Sequence, residues 1–340
     1  MARIALDAMG GDHAPEAPVA GALEALAELD SQHTIQLIGK RDTIEQQLDR
    51  LGVSSDGNRR RLEVVEAPDV IEMTDKPTDV RKKPNSSMVI GLKLQPEGKS
   101  DGFVSAGNTG AQMAASMFVL RLHAGLKRPA IATIFPTAKK PVVVLDSGAN
   151  VDCSADELVQ FGRLGAVYAE DILGRKNPAV ALLSIGEEPE KGNTVTKETH
   201  ALLADSGLNF LGNCEGRDLP AGTCHHGDLD VVICDGFVGN VILKFYEAVA
   251  PLMIRMLVKE GMQEQSIRKA LRQLDYSEHG GAPLLGVKGV SIICHGRSSP
   301  AAIKNAIKVA VRAVDSRMNE HIGRRLESSA VATGGEGTAA

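Results

Sequence analysis

Six short segments of this chain combine glycine with small polar or charged side chains. They are Asp7–Asp12, Ser105–Gly110, Asp146–Asn150, Gly186–Asn193, Asp235–Asn240 and His295–Ser299. Glycine lets backbone N–H groups come close to an anion, and a helix that starts just after the loop adds a favourable dipole. Asn, Ser and Thr add neutral donors. The economical ligand is a phosphate or a phosphate-like anion. Glycine that only ends strands and caps helices is the bland alternative for any one loop. Several such loops sharing one sheet edge favour a ligand cleft.

The elements that would carry these loops alternate along the chain. Strands are expected at Arg3–Leu6, Thr34–Ile38, Leu62–Glu66, Gly102–Ser105, Val142–Asp146, Ala179–Ile185, Val231–Cys234 and Val290–Cys294. Continuous apolar runs such as Val142-Val143-Val144-Leu145 fit parallel strands buried on both faces. Helical patterns lie between them, at Ala17–Leu29, Thr43–Leu51, Ala111–Leu122, Asp156–Leu173, Lys197–Ser206, Val241–Leu257 and Ser299–Ile322. This order predicts right-handed crossovers and an α/β three-layer sandwich with a mostly parallel sheet. Each glycine loop then falls at a strand's carboxyl end, where such sheets bind ligands. One α/β domain is expected over 1–327, in one lobe or in two around a cleft, with a helical hairpin projecting near 251–276. The Gly-, Ala- and Ser-rich tail 328–340 is expected to be disordered.

Composition narrows the classes. The chain has 340 residues, 43% hydrophobic and 24% charged, with a net charge of -5. Aromatics are only 3% and Trp is absent, which argues against base stacking on single strands. The acidic balance argues against a general nucleic-acid binder. No dinucleotide G-x-G-x-x-G occurs, and Gly281–Lys288 only approaches a Walker A loop. No G-x-S-x-G nucleophile elbow is expected, which disfavours a hydrolase-type acyl-enzyme. Cys214, Cys224, His225 and His226 fit no zinc spacing, so no metal and no cofactor are expected. Scattered cysteines, no signal-peptide pattern and no apolar run of roughly 20 residues predict a reduced, cytoplasmic chain.

In their joint order these loops, with Lys191-Gly192-Asn193 and Gly281–Gly289, resemble the bacterial phosphate acyltransferase family PlsX. The resemblance covers the chain apart from its tail. It implies an enzyme that transfers a fatty acyl group from acyl carrier protein to inorganic phosphate, giving an acyl phosphate for phospholipid synthesis. It also implies a fold related to phosphotransacetylase and isocitrate dehydrogenase, and a homodimer. A phosphotransacetylase-like transferase using acyl-CoA is the alternative. Such a reaction needs phosphate held in line with a thioester and donors aimed at the developing oxyanion. Ser105, Gly107, Asn108, Thr109 and Gly110 are the candidate phosphate-binding residues. Lys191 can neutralise phosphate. Asn193 and Asn240 can stabilise the oxyanion, and His295 can move a proton. Each has a bland rival as solvated charge, turn residue, helix cap or strand-end hydrogen bond. Asp7 and Asp12 are read as ordering the first loop.

Segment 252–259 is unusually apolar for a helix with two cations. Arg255 and Lys259 share one face, and Leu252, Ile254, Leu257 and Val258 lie on the rest. Buried core, a dimer contact, or a peripheral anchor on the inner face of the cell membrane all fit. The membrane reading gains from the resemblance, because acyl phosphate must reach a membrane glycerol-3-phosphate acyltransferase. Acyl carrier protein is acidic, so basic segments 76–93 and 252–275 are candidate docking patches.

Overall fold

The computed structural model describes residues 1–53, 57–271 and 280–334. Two units emerge, one built from residues 1–125 with 279–340, the other from 126–278. The first runs β1 (Arg3–Asp7), α1 (Glu16–Glu28), β2 (Thr34–Gly39), α2 (Arg41–Arg50), β3 (Leu62–Glu66), α3 (Ser87–Lys93), β4 (Gly102–Ser105) and α4 (Thr109–Val119). The second follows with β5 (Ala130–Ile131), β6 (Thr133–Phe135), β7 (Val142–Leu145), α5 (Ala155–Leu173), β8 (Val180–Leu183), α6 (Thr194–Ala204) and β9 (Phe210–Cys214). It continues through α7 (Asp218–Ala221), β10 (Thr223–Cys224), β11 (Gly227–Asp228), β12 (Val231–Ile233), α8 (Gly236–Lys259) and α9 (Glu264–Leu271). The chain then returns to the first unit as β13 (Ala282–Leu285), β14 (Ser291–Ile293), α10 (Pro300–Asp315) and α11 (Met318–Gly334).

In the first unit six strands pair in the order β3-β2-β1-β4-β14-β13. All neighbours are parallel except β13 against β14. In the second unit the order is β6-β7-β12-β8-β9, parallel except β6 against β7. The mixed α/β class with mostly parallel strands is as expected, but the strands form two main sheets, with β10 and β11 as a separate antiparallel pair. The glycine loops therefore do not share one edge. Those after β1, β4 and β14 belong to the first unit, and those after β7, β8 and β12 to the second. Four-residue strands buried on both faces look alike in sequence, so periodicity does not say which strand pairs with which.

The strands form because their apolar residues are buried on both faces. Val142, Val143, Val144 and Leu145 expose nothing, and neither do Val231, Val232 and Ile233. Each such side chain contributes roughly 1.5–3 kcal/mol on burial. Helix starts follow their capping residues. Ser154 caps α5 and forms a capping box with Glu157, and Ser299 caps α10 ahead of Pro300. The single helix expected over Ser299–Ile322 is broken at Arg317, which takes a left-handed φ of 55° between α10 and α11. Neither Gly nor Pro marks that break in the sequence. Helix α11 runs on to Gly334, so residue 328 lies inside it, and 335–340 lie outside the described residues.

Candidate active-site loops

In the first unit the register places the carboxyl ends of β1, β4 and β14 side by side. Leu6 pairs with Val104, and Ile293 with Ser105. Asp12 N–H then donates to Gly296 O at 2.7 Å, and Cys294 N–H to Ser105 O at 2.8 Å. Three predicted loops thus meet. Buried Ser105 donates its hydroxyl to Asp7 Oδ2 at 2.8 Å and accepts the Gly107 N–H at 3.0 Å. Neither group is left for a ligand, so Ser105 and Gly107 shape the loop. Asn108 is likewise committed. Its Oδ1 caps α4 by accepting the Ala111 N–H, and its Nδ2 donates to Met73 O and Asp75 O. What remains open is the first turn of α4: the N–H groups of Thr109 and Gly110 and the Thr109 hydroxyl take no partner among the described residues. A side chain at Gly110 would meet Pro77 at 2.9 Å, so glycine lets the 3-10 turn Pro77–Arg81 close over this end.

His295 is exposed at the end of β14, and its Nδ1 accepts the Arg297 N–H at 3.1 Å. That bond leaves Nε2 as the proton-bearing nitrogen of the neutral ring. Asp7 is fully enclosed, and burial pushes its carboxyl above the usual carboxylate range despite the donors around it.

Lys191, Asn193 and Asn240 lie in the second unit. Lys191 is exposed on the loop after β8, its N–H donating to Glu188 O. That loop is fastened by buried Asn213, whose Nδ2 donates to Glu188 O at 2.8 Å while its Oδ1 meets His200 Nδ1 at 3.0 Å. Asn193 is the cap of α6, accepting from Thr196 N–H and Oγ–H. Asn240 is not a cap. Asp235 caps α8, and Asn240 sits exposed in its second turn, 3.4 Å from where a side chain at Gly148 would begin.

The loop after β7 is held from within. Asp146 Oδ1 accepts from the N–H groups of Ile131, Gly148 and Ala149, and Oδ2 from the Asn150 backbone and amide. Burial still raises its pKa above the ordinary value. Asn213 did not stand out in the sequence, and Asp146 did so only as the first residue of a glycine loop. Their spacing to glycine, as in Asp146-Ser147-Gly148, was the available signal.

Helix α8 carries the apolar segment, and Gly236 and Gly239 are its only buried residues. Phe237, Phe245 and Met256 are 61%, 70% and 60% exposed. Leu252 and Val258 are exposed too, while Ile254 and Leu257 are half-buried. The first half of the helix packs on the core through Val238, Ile242, Leu243 and Tyr246, but segment 252–259 is not core among the described residues. Ile267 of α9 is buried, and a groove of about 510 Å³ is lined by Ile254, Arg255, Val258, Lys259 and Glu264. Residues 272–276 of the expected hairpin lie outside the described residues. No helix among the described residues is long and apolar enough to cross a membrane. In the 76–93 patch, Lys82 pairs with Asp79 and Lys83 with Asp75, so part of its charge is already met. The sequence also spells G-x-S-x-G at Gly98–Gly102, contrary to the expectation of no such motif. Ser100 is buried, precedes β4 rather than following it, and accepts the Ala5 N–H, so it forms no nucleophile elbow.

A family model described as "Fatty acid synthesis protein" matches residues 2–321. The chain is 46% identical over 341 residues to a phosphate acyltransferase of Heliobacterium modesticaldum, covering 96% of this chain and 99% of that one. It is also 46% identical to a phosphate acyltransferase of Desulforamulus reducens, covering 96% and 98%. The chain belongs to the phosphate acyltransferase family. It is therefore an acyltransferase that acts on phosphate. As a phosphate acyltransferase it shares its fold with a Streptococcus pyogenes phosphotransacetylase, at TM-score 0.64, 16% identity and coverage of 92% and 94%. A 4-hydroxythreonine-4-phosphate dehydrogenase from Klebsiella pneumoniae follows at TM-score 0.54, 12% identity and coverage of 92% and 100%. For this phosphate acyltransferase, among the described residues, no cluster of His, Cys, Asp or Glu is arranged to hold a metal ion.

Proposed function

We propose that this acyltransferase moves a long-chain fatty acyl group from acyl carrier protein to inorganic phosphate, reversibly, yielding an acyl phosphate for phosphatidic acid synthesis. The observation that carries the reading is near-full-length kinship to phosphate acyltransferases. A phosphate oxygen attacks the thioester carbonyl carbon, an acyl C–O bond forms, the C–S bond breaks, and the carrier thiolate takes a proton. Phosphate is already a nucleophile near neutral pH, so positioning and charge stabilisation supply the catalysis.

The first turn of α4 supports an anion role, through the open N–H groups of Thr109 and Gly110 and the Thr109 hydroxyl. Gly107, Ser105 and Asn108 hold that turn in shape. Lys191 supplies positive charge. The amides of Asn193 and Asn240 are donors for the carbonyl oxygen as it gains charge, and Nε2 of His295 supplies the leaving thiolate's proton. The exposed apolar side of α8, with Leu252, Ile254, Leu257 and Val258, serves peripheral attachment to the inner face of the cell membrane or a homodimer contact. Attachment would bring acyl phosphate to the membrane glycerol-3-phosphate acyltransferase. Incubation with palmitoyl-acyl carrier protein or acetyl-CoA, each with labelled phosphate, tests the donor. Palmitoyl phosphate is the expected product, and acetyl phosphate alone would overturn the reading.

A further inference from the structure

The second unit holds a cavity of about 830 Å³ at the carboxyl ends of β8 and β12, where α6 and α8 begin. That size lies within the roughly 300–1,000 Å³ of small-ligand pockets. Its walls are mainly apolar: Cys153, Leu158, Leu182, Val195, Cys234 and Val238 line it. Val151 and Ile185 line it too and remain 64% and 81% exposed, apolar surface without a cover among the described residues.

Charge decides what such a cavity accepts. None of the lining residues is Lys or Arg, while Asp152 and Asp235 are carboxylates. An anion is disfavoured there, so phosphate is not its occupant. The cysteines add no nucleophile, because burial pushes the Cys153 thiol up to about 12 and raises that of Cys234 well above its usual value. One polar atom stands out. Ser184 Oγ is buried and has no hydrogen-bond partner among the described residues, and it lies 3.0 Å from where a side chain at Gly192 would begin. A buried hydroxyl of this kind needs a polar partner on whatever fills the space, and a carbonyl oxygen can accept its proton. A hydrocarbon chain ending in a thioester meets both demands.

We infer that this cavity is the acyl pocket, holding the fatty chain against α6 and α8 with its thioester carbonyl toward Ser184. The inference rests on the acyl-transfer reading above and adds where the chain lies. Each methylene buried there should tighten binding roughly fourfold, so the pocket makes the enzyme sensitive to chain length.

Val195 and Cys153 are half-buried wall residues on separate segments, so a larger side chain at either enters the cavity without displacing the core. Val195→Trp and Cys153→Trp should each lower the ratio of kcat/KM for hexadecanoyl- over hexanoyl-acyl carrier protein at least tenfold. Thermal unfolding of each variant reports whether it folds. The wild-type protein gives a second readout. A non-transferable S-hexadecyl carrier protein should slow alkylation of Cys153 at alkaline pH, read by peptide mass spectrometry, and an S-butyl carrier should not. An unchanged ratio in a folded variant, an equal loss at all chain lengths, or no protection of Cys153 would each overturn the pocket while leaving the acyl-transfer reading intact. Absence of acyl phosphate from every carrier thioester in the wild type would instead sink the acyl-transfer reading.

Discussion

Asp7 Oδ2 accepts the Ser105 hydroxyl at 2.8 Å, although 98 residues separate them. The same Ser105 oxygen receives the Gly107 N–H. Two neighbouring strands thereby fix the loop that leads into α4, and the fixing group is a carboxylate that burial holds above its ordinary pKa. A side chain at Gly10 would strike Asp7 Oδ2, Ser105 Oγ and Gly107 N at 2.7–2.9 Å, so only glycine fits beside this contact.

Ser105→Ala leaves the Gly107 N–H and Asp7 without their shared partner. An unsatisfied buried group costs about 1–3 kcal/mol. The KM for phosphate should rise about tenfold or more, with a smaller change in KM for the acyl carrier. Steady-state kinetics with each substrate varied in turn checks this.

Lys191 is exposed and uses only its backbone N–H in the contacts described above, so Lys191→Ala should fold normally. If its charge serves the reaction, kcat should fall about 100-fold, the scale of losing one stabilising donor. Turnover at saturating phosphate measures it, and wild-type turnover would remove Lys191 from the mechanism.

Asp146 links stability to pH with a definite sign. The unfolded carboxyl ionises near a pKa of about 3.9, whereas burial makes the folded one ionise at higher pH. Between these values the folded state holds the extra proton. The contribution of this group is therefore whole below the unfolded value and is lost as pH rises through the folded one. Asp146→Asn removes that titration. The stability difference, wild type minus variant, should decline as pH rises above about 4 and then level, as followed by urea unfolding. A difference independent of pH would count against the raised pKa.

Gly239 has no room for a methyl group. A Cβ there would overlap the Asp146 carbonyl oxygen and lie 3.1 Å from Cys234 Sγ. Gly239→Ala should cost about 3 kcal/mol or more, because the obstacle is backbone rather than a movable side chain. Denaturant midpoints measure the cost.

Leu257→Glu with Val258→Glu places two charges on the apolar side of α8. Loss of binding to anionic liposomes with the wild-type oligomeric state retained, read by flotation and light scattering, would support the membrane role. An oligomer smaller than that of the wild type would assign this face to a second copy.

Much of the fold was legible because strands such as Gly102–Ser105 and Val142–Leu145 are short, mostly apolar runs leading into a glycine loop, and both form where expected. Strand β9 was missed because Phe210–Cys214 contains Gly212 and Asn213, residues that normally argue for a turn. The division into two sheets was hidden since pairing depends on long-range register. At the candidate site, the open first turn of α4 was readable as Asn108-Thr109-Gly110, but the commitments of Ser105 and Asn108 were not. Those depend on Asp7, Met73 and Asp75, distant in sequence and brought near only by the fold.

The first unit is written in two pieces, and that order matters while the protein is being made. Gln112 Nε2 donates to Ile292 O across 180 residues, and β14 closes the side of β4 away from β1. At roughly 5–20 residues per second, the ribosome needs about 10–35 s to cross that interval. Throughout it, β4 presents one unpaired edge, while the residues of the second unit are made one after another ahead of β14. A nascent chain of this design matures from its middle outward, and a chaperone would find its target on the first strands translated rather than the last.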